Sequence, residues 1–201
     1  MSEEELRSAP AALRNRKPIA DVLADVLPDH GLVLMIAEGT GEHAVHFASR
    51  FGHLQWLPTD GSPDAVGDME RRKRFEGPEN MRPPILLNVY SDSWPTEHVA
   101  AMTCINMVHI SPWSATLALL RGARSCLTAG APLFIYGPFV RDGVMTAPSN
   151  LAFDESLRSR NPEWGLRTLG AMEQAAAQND FALRNIIEMP ANNLSVVFNR
   201  N

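Results

Sequence analysis

Apolar residues recur along this chain with two alternating spacings. Ile19, Val22, Leu23, Val26 and Leu27 fall at i, i+3 and i+4, which predicts a helix over residues 11–27. Pro18 interrupts that stretch. Proline suits a first helical turn, so the regular helix is expected to begin there rather than run through it. Residues 32–37 are an unbroken apolar run between turn signals, the pattern of a strand buried on both faces. After Gly39-Thr40-Gly41 comes a helix carrying Ala44, Val45, Phe47, Ala48 and Phe51. The rhythm then repeats: a strand at 54–59, a polar helix at 63–75, strands at 85–89 and 101–110, a helix at 112–127 and a strand at 132–136. Residues 137–153, marked by Gly, Pro and Asn, read as a long loop, and loops of that length are often functional. Residues 154–177 read as helix in two pieces around Pro162. Residues 181–188 and 194–198 are strands joined by a turn short enough to make an antiparallel hairpin.

Strand–helix alternation over five strands implies right-handed crossovers and a parallel sheet with helices on both faces; the terminal hairpin adds an antiparallel edge. The expected architecture is therefore α/β and doubly wound, with seven strands. A length of 201 residues fits one domain, here residues 11–201 behind a flexible N-terminus at 1–10. Hydrophobic residues at 45% and charged residues at 20% exclude a disordered or fibrous chain. No apolar run approaches the ~20 residues that span a bilayer, and the acidic start does not read as a signal peptide. Cys104 and Cys126 lie in apolar segments and read as reduced core residues of a cytoplasmic protein. A net charge of −5, from 18 basic and 23 acidic residues, argues against nucleic acid as a general partner. The expected partner is a small-molecule substrate; oligomeric state is not readable from one sequence.

In open parallel sheets, ligands bind at the carboxyl ends of the strands, near the point where strand order reverses. The first such end is Glu38-Gly39-Thr40-Gly41-Glu42-His43-Ala44. Its glycines allow a tight turn and close approach of a ligand to the backbone, and the following helix start offers free N–H groups. Asp60, nineteen positions after Gly41, ends the second strand and can accept both hydroxyls of a ribose. This pair of signals leaves a nicotinamide dinucleotide and S-adenosylmethionine both open. Asn88 and Val89 end the third strand, where the Asn88 amide can read an adenine edge. Asn106 and His109 break the apolar run of the fourth strand, and buried amides and imidazoles need partners, so both are expected to face a polar pocket at its mouth. His109 is the first choice as general base, since its ordinary pKa lies near neutrality. His43 and His46 are a metal pair only on spacing, without further clustered ligands, and no metal is expected. The basic run Arg71-Arg72-Lys73-Arg74 reads as a solvated helix face. A second, Arg14-Asn15-Arg16-Lys17, precedes the first helix and is a candidate lid.

Six segments in order resemble the methyltransferase-like 26 family over residues 14–200. They are Arg14-Asn15-Arg16-Lys17-Pro18-Ile19, Gly39-Thr40-Gly41-Glu42-His43-Ala44-Val45-His46-Phe47, the run from Cys104 to Pro112, Tyr136-Gly137-Pro138-Phe139, the run from Arg160 to Arg167, and Met189-Pro190-Ala191-Asn192-Asn193. The resemblance implies a Rossmann-like class I methyltransferase sheet and S-adenosylmethionine as cofactor. It implies that Glu38, Gly39, Thr40, Gly41, Asp60, Asn88, Val89 and Asn106 line the cofactor, with Asp60 on the ribose and Asn88-Val89 flanking the adenine. His109, Asn106 and Tyr136 then form the catalytic set, with His109 deprotonating an acceptor that Asn106 and Tyr136 orient. Residues 137–153, with Asn150, and the segment from Arg160 to Arg167 are expected to border the substrate. The chain departs from the pattern at three places. Met35 stands where the first strand usually carries an acid, with Glu38 the nearest carboxyl; Asn88 stands for a third-strand Asp; Thr168 stands for an acid. These departures keep a non-catalytic cofactor-binding module on the same fold as the alternative to a small-molecule methyltransferase. A nicotinamide-dependent reductase is the weaker rival, since no Tyr-x-x-x-Lys pair is evident.

Overall fold

Alternate residues of the first strand point to opposite cores. The computed structural model of the chain describes residues 6–94 and 98–201. In it β1 (Leu32–Ile36) is buried at every position. Leu32, Leu34 and Ile36 enter one apolar layer, shared with Leu119, Leu120 and Ala123 of α4 (Trp113–Cys126) and Met172, Ala175 and Ala176 of α6 (Leu169–Ala177). Val33 and Met35 enter the other. It is shared with Ile19, Ala20 and Leu23 of α1 (Pro10–Leu23) and Ala44, Phe47 and Ala48 of α2 (Glu42–Arg50). A strand with an apolar residue on both faces belongs in the centre of a sheet with helices above and below.

The remaining elements are β2 (Gln55–Asp60), α3 (Pro63–Glu76), β3 (Ile85–Leu86), β4 (Val99–Ile105), β5 (Pro132–Gly137), α5 (Pro148–Arg160), β6 (Phe181–Met189) and β7 (Asn193–Arg200). The strands form one sheet in the order β3-β2-β1-β4-β5-β7-β6. β3, β2, β1, β4 and β5 run parallel, whereas β7 is antiparallel to β5 and to β6. This is the doubly wound seven-stranded sheet with a C-terminal hairpin that the pattern predicts. The order reverses between β1 and β4, so the switch point lies at the ends of those two strands.

Four boundaries differ from the sequence expectation. Helix α1 runs straight through Pro18, although proline removes the hydrogen bond to the residue four positions back. Burial of Ala12, Ile19, Ala20 and Leu23 on one face compensates. The third strand is only two residues long. Pro83 and Pro84 offer no N–H before it, and beyond it the Asn88 side chain accepts the Tyr90 amide at 3.0 Å and turns the chain away. The fourth strand stops at Ile105 because Asn106 takes a left-handed backbone, φ 63°, and a single 3-10 turn follows over Met107–His109. The expected loop at 137–153 is shorter, since Pro148 opens α5 rather than belonging to a loop; proline's missing N–H costs nothing in a first turn.

Of the N-terminal stretch, residues 1–5 lie outside the described residues. Beyond them Arg7 pairs with Asp68, Ser8 donates to Glu42 at 3.1 Å, and the Ala9 amide donates to Glu42 at 2.8 Å. Arg72 donates to the Arg7 carbonyl at 2.7 Å.

Candidate functional site

The bend after β1 is built by its own backbone. Gly39 and Gly41 both have positive φ, 60° and 76°, and Gly41 caps α2 from a left-handed conformation. The Gly41 amide donates to the Glu38 carbonyl at 3.1 Å, closing the turn. The Gly39 amide donates to Asp60 Oδ2 at 3.0 Å, while Asp60 Oδ1 accepts from the Ser62 amide at 2.9 Å. Asp60 is thus locked at the lip of β2, beside the bend and half-exposed. A Cβ added to Gly39 would meet no protein atom within 4 Å, so the space over the bend is open. On its far side the bend is propped by Arg72, whose Nε donates to the Thr40 carbonyl at 2.7 Å. Arg72 is only 6% exposed, the exception in a basic run whose other members, Arg71, Lys73 and Arg74, meet solvent as a helix face. Its position was legible: Ala65, Met69 and Arg72 share one side of α3 at i, i+4 and i+7.

Glu38 is buried, and its Oε2 has no hydrogen-bond partner among the described residues. Burial, and then the Asp60 carboxylate beside it, push its carboxyl up to about 8, with the Ala44 amide pulling weakly the other way. Met35 is fully buried in the apolar layer and supplies no polar group to the bend. Asn88 is exposed and Val89 half-buried. A Cβ on Gly61, just after Asp60, would lie 3.8 Å from the Asn88 Cα, so the ends of β2 and β3 stand together. An open bend, a fixed carboxylate at its lip and an unpartnered buried carboxyl below it fit an adenosine-bearing ligand with a cationic end.

The ends of β4 and β5 form the neighbouring part of the rim. The Asn106 amide donates to the Tyr136 carbonyl at 2.8 Å, holding the two residues side by side. Both line a cavity of about 610 Å³. One wall is α1, through Ala11, Arg14, Asn15 and Pro18, at i, i+3, i+4 and i+7. Another is α5, through Ser149, Asn150, Phe153 and Arg160. The basic cluster at 14–17 is therefore part of a helix that walls the cavity, not a separate lid preceding it. Tyr136 is 3% exposed, and burial raises its phenol above the usual value, opposed by the Asn15 side chain.

His109 does not line this cavity. The 3-10 turn folds its ring beneath the rim, where it is 0% exposed, lies edge-on to Phe139 at 4.7 Å and presses Nε2 against Gly137. Burial, then the charge of Arg167, push its pKa down to about 3. An imidazole so placed is neutral and does not itself line the cavity, where the sequence leads us to expect a general base. Of the segment from Arg160 to Arg167, only Arg160 borders the cavity; Arg167 instead ties down the turn, donating to the Val108 carbonyl at 3.0 Å and the Ser111 carbonyl at 2.6 Å. Glu38, Gly39, Thr40, Gly41 and Asp60 gather at one end of the rim, and Asn106 and Tyr136 at the next. The His43 ring nitrogen faces Asn15 Oδ1 at 2.7 Å.

A sheet of this order, with a Gly-x-Gly bend after β1 and a carboxylate closing β2, is the class I methyltransferase fold. Solved structures bear this out at low sequence identity. An O-methyltransferase family 2 protein from Planctomyces limnophilus, solved with apigenin, superposes with a TM-score of 0.78 at 17% identity, covering 95% of this chain and 60% of that one. The mitomycin 7-O-methyltransferase gives 0.81 at 12% identity, covering 95% and 54%. A methyltransferase of calicheamicin biosynthesis, solved with S-adenosylhomocysteine bound, gives 0.78 at 13%, again covering 95% and 54%. The chain thus spans little more than half the length of these neighbours. The chain itself belongs to the DUF938 family of proteins of unknown function, also known as methyltransferase-like 26-like, whose model matches residues 6–200.

Proposed function

We propose that this protein is an S-adenosylmethionine-dependent methyltransferase acting on a small molecule. The observation that carries the reading is the continuity of the rim. The open bend with its fixed Asp60 carboxylate ends β1 and β2, and the cavity beside Asn106 and Tyr136 ends β4 and β5, on either side of the switch point. When bound, the cofactor supplies a methyl group on a sulfonium. Asp60 accepts the two ribose hydroxyls while the Gly39 amide keeps it in place. Asn88 and Val89 would flank the adenine, Gly39–Gly41 would hold the nucleoside, and Glu38, neutral below about pH 8 in the free protein, would meet the cationic amino-acid end by giving up its proton there, in place of the acid that Met35 displaces. Asn106 and Tyr136 orient the acceptor. Tyr136 lines the cavity beside Asn106, and burial makes its phenol hard to ionise. Catalysis therefore rests on proximity and orientation more than on a base, a contribution large enough to carry methyl transfer. His109 is a positioning residue that fixes the turn carrying Asn106.

The test is isothermal titration of the purified protein with S-adenosylmethionine and S-adenosylhomocysteine, with NADH as control. The expected result is saturable heat with the first two alone, and a loss of about tenfold in S-adenosylhomocysteine affinity in Asp60→Asn, the effect of one charge-assisted hydrogen bond. No heat with either S-adenosyl ligand refutes the reading. The burial of Met35 in place of an acid favours one second reading, a binding module that keeps the cofactor without turnover. Radiolabelled methyl transfer to any acceptor by the unaltered protein excludes it.

A further inference from the structure

The cavity between α1 and α5 carries a charge pattern that its apolar surroundings do not require. Arg14, from α1, and Arg160, from the last turn of α5, both line it, and among the described residues no Asp or Glu does. Neither arginine has a carboxylate partner among the described residues. Arg160 donates only to the Ser156 carbonyl, at 3.3 Å, and its guanidinium lies 5.5 Å from the Trp164 ring. In the neighbouring depression, by contrast, Arg141 pairs with Glu188 at 3.0 Å. The same lining includes the apolar side chains of Pro18, Ile110, Pro138 and Phe153. A guanidinium offers a planar fork of donors that matches a carboxylate or phosphate, and a lining of this kind suits an aromatic or similarly flat body.

We infer that the cavity takes an anionic small molecule with a flat apolar body, its carboxylate or phosphate held between Arg14 and Arg160 and its body against Phe153 and Ile110. This rests on the reading of the cavity as the acceptor side of a methyltransferase. The anion anchors the molecule away from Asn106 and Tyr136, which leaves the nucleophilic end directed to the rim.

The probes are benzoate and phenyl phosphate, each compared with neutral benzamide, titrated into the intact protein saturated with S-adenosylhomocysteine and followed by protein NMR shifts at low and high salt. At least one anion is expected to bind about tenfold more tightly than the amide, the increment of a hydrogen bond to a charged group, and to weaken as salt rises. Whichever anion is preferred decides between carboxylate and phosphate. Arg14→Gln and Arg160→Gln, both on exposed side chains, are expected to fold normally by circular dichroism and each to erase most of that preference, leaving amide binding unchanged. Equal binding of anions and amide, no binding by any of the three, or retained preference in both variants overturns the inference. The two readings fail separately. Anion preference in a protein that ignores S-adenosylhomocysteine removes the methyltransferase and keeps the anion site; S-adenosylhomocysteine binding without anion preference does the reverse.

Discussion

At the scale of single residues, the bend depends on a carboxyl that is buried and one that is not. Glu38 is harder to ionise folded than unfolded, so its contribution to stability is fully present below its ordinary value of 4.5 and is lost as the pH rises toward about 8. Glutamine at this position does not titrate. Thermal unfolding of wild type and Glu38→Gln across that interval is expected to show the variant gaining on the wild type as pH rises, then a constant difference above pH 8. A difference that stays flat across the whole interval would show that the carboxyl is already ionised when folded. His109 shows what residue type alone conceals. Its place at the end of an apolar run was legible, and so was the need for a special environment. The direction of its ring was not, because it depends on Asn106 adopting a left-handed backbone that no hydrophobic pattern encodes. Tyr136 and Asn106 were legible as rim residues for the simpler reason that each ends a central strand.

Among the elements, every strand was placed, although β3 and β4 end earlier than their apolar runs suggest, and two helices start earlier than expected. Continuous apolar runs such as β1 and β5 leave little choice of structure. Proline is ambiguous: Pro18 sits within a helix and Pro148 begins one, and the same residue serves as a loop signal elsewhere. The face of α1 that walls the cavity was visible as Ala11, Arg14, Asn15 and Pro18, yet polar residues on a helix face read as solvent-facing until the other helix is known. Thr168 illustrates a departure from the family pattern with a clear structural role. Its hydroxyl accepts the Ala171 amide at 3.2 Å and caps α6. Thr168→Ala is expected to lower unfolding free energy by about 1 kcal/mol in urea denaturation, the usual cost of a lost cap, without altering S-adenosylhomocysteine affinity. A loss of ligand affinity equal to that of Asp60→Asn would instead place Thr168 at the site.

For the whole molecule, alternation of strand and helix dictates the sheet, and the sheet dictates where ligands meet. This explains why the fold was legible from end to end while the cavity was legible only through Asn106, Tyr136, Asn150 and Arg160: two of its walls are made by α1 and α5, which are far apart in sequence. A ligand spanning the switch point binds only the folded chain, so S-adenosylhomocysteine at a hundredfold excess over its Kd is expected to stabilise by about 2.7 kcal/mol, read as a rise in Tm that NADH does not produce. The two chain ends stand in different relations to that region. Asn201 follows β7, whose last residues pair with Pro132 at the start of β5, on the side of the sheet remote from the bend. Arg7–Ala9, by contrast, is clasped by Asp68, Glu42 and Arg72, and Arg72 is the same guanidinium that holds the Thr40 carbonyl. A purification handle fused ahead of Arg7 therefore tugs on the prop of the nucleoside shelf, and one appended after Asn201 leaves it alone.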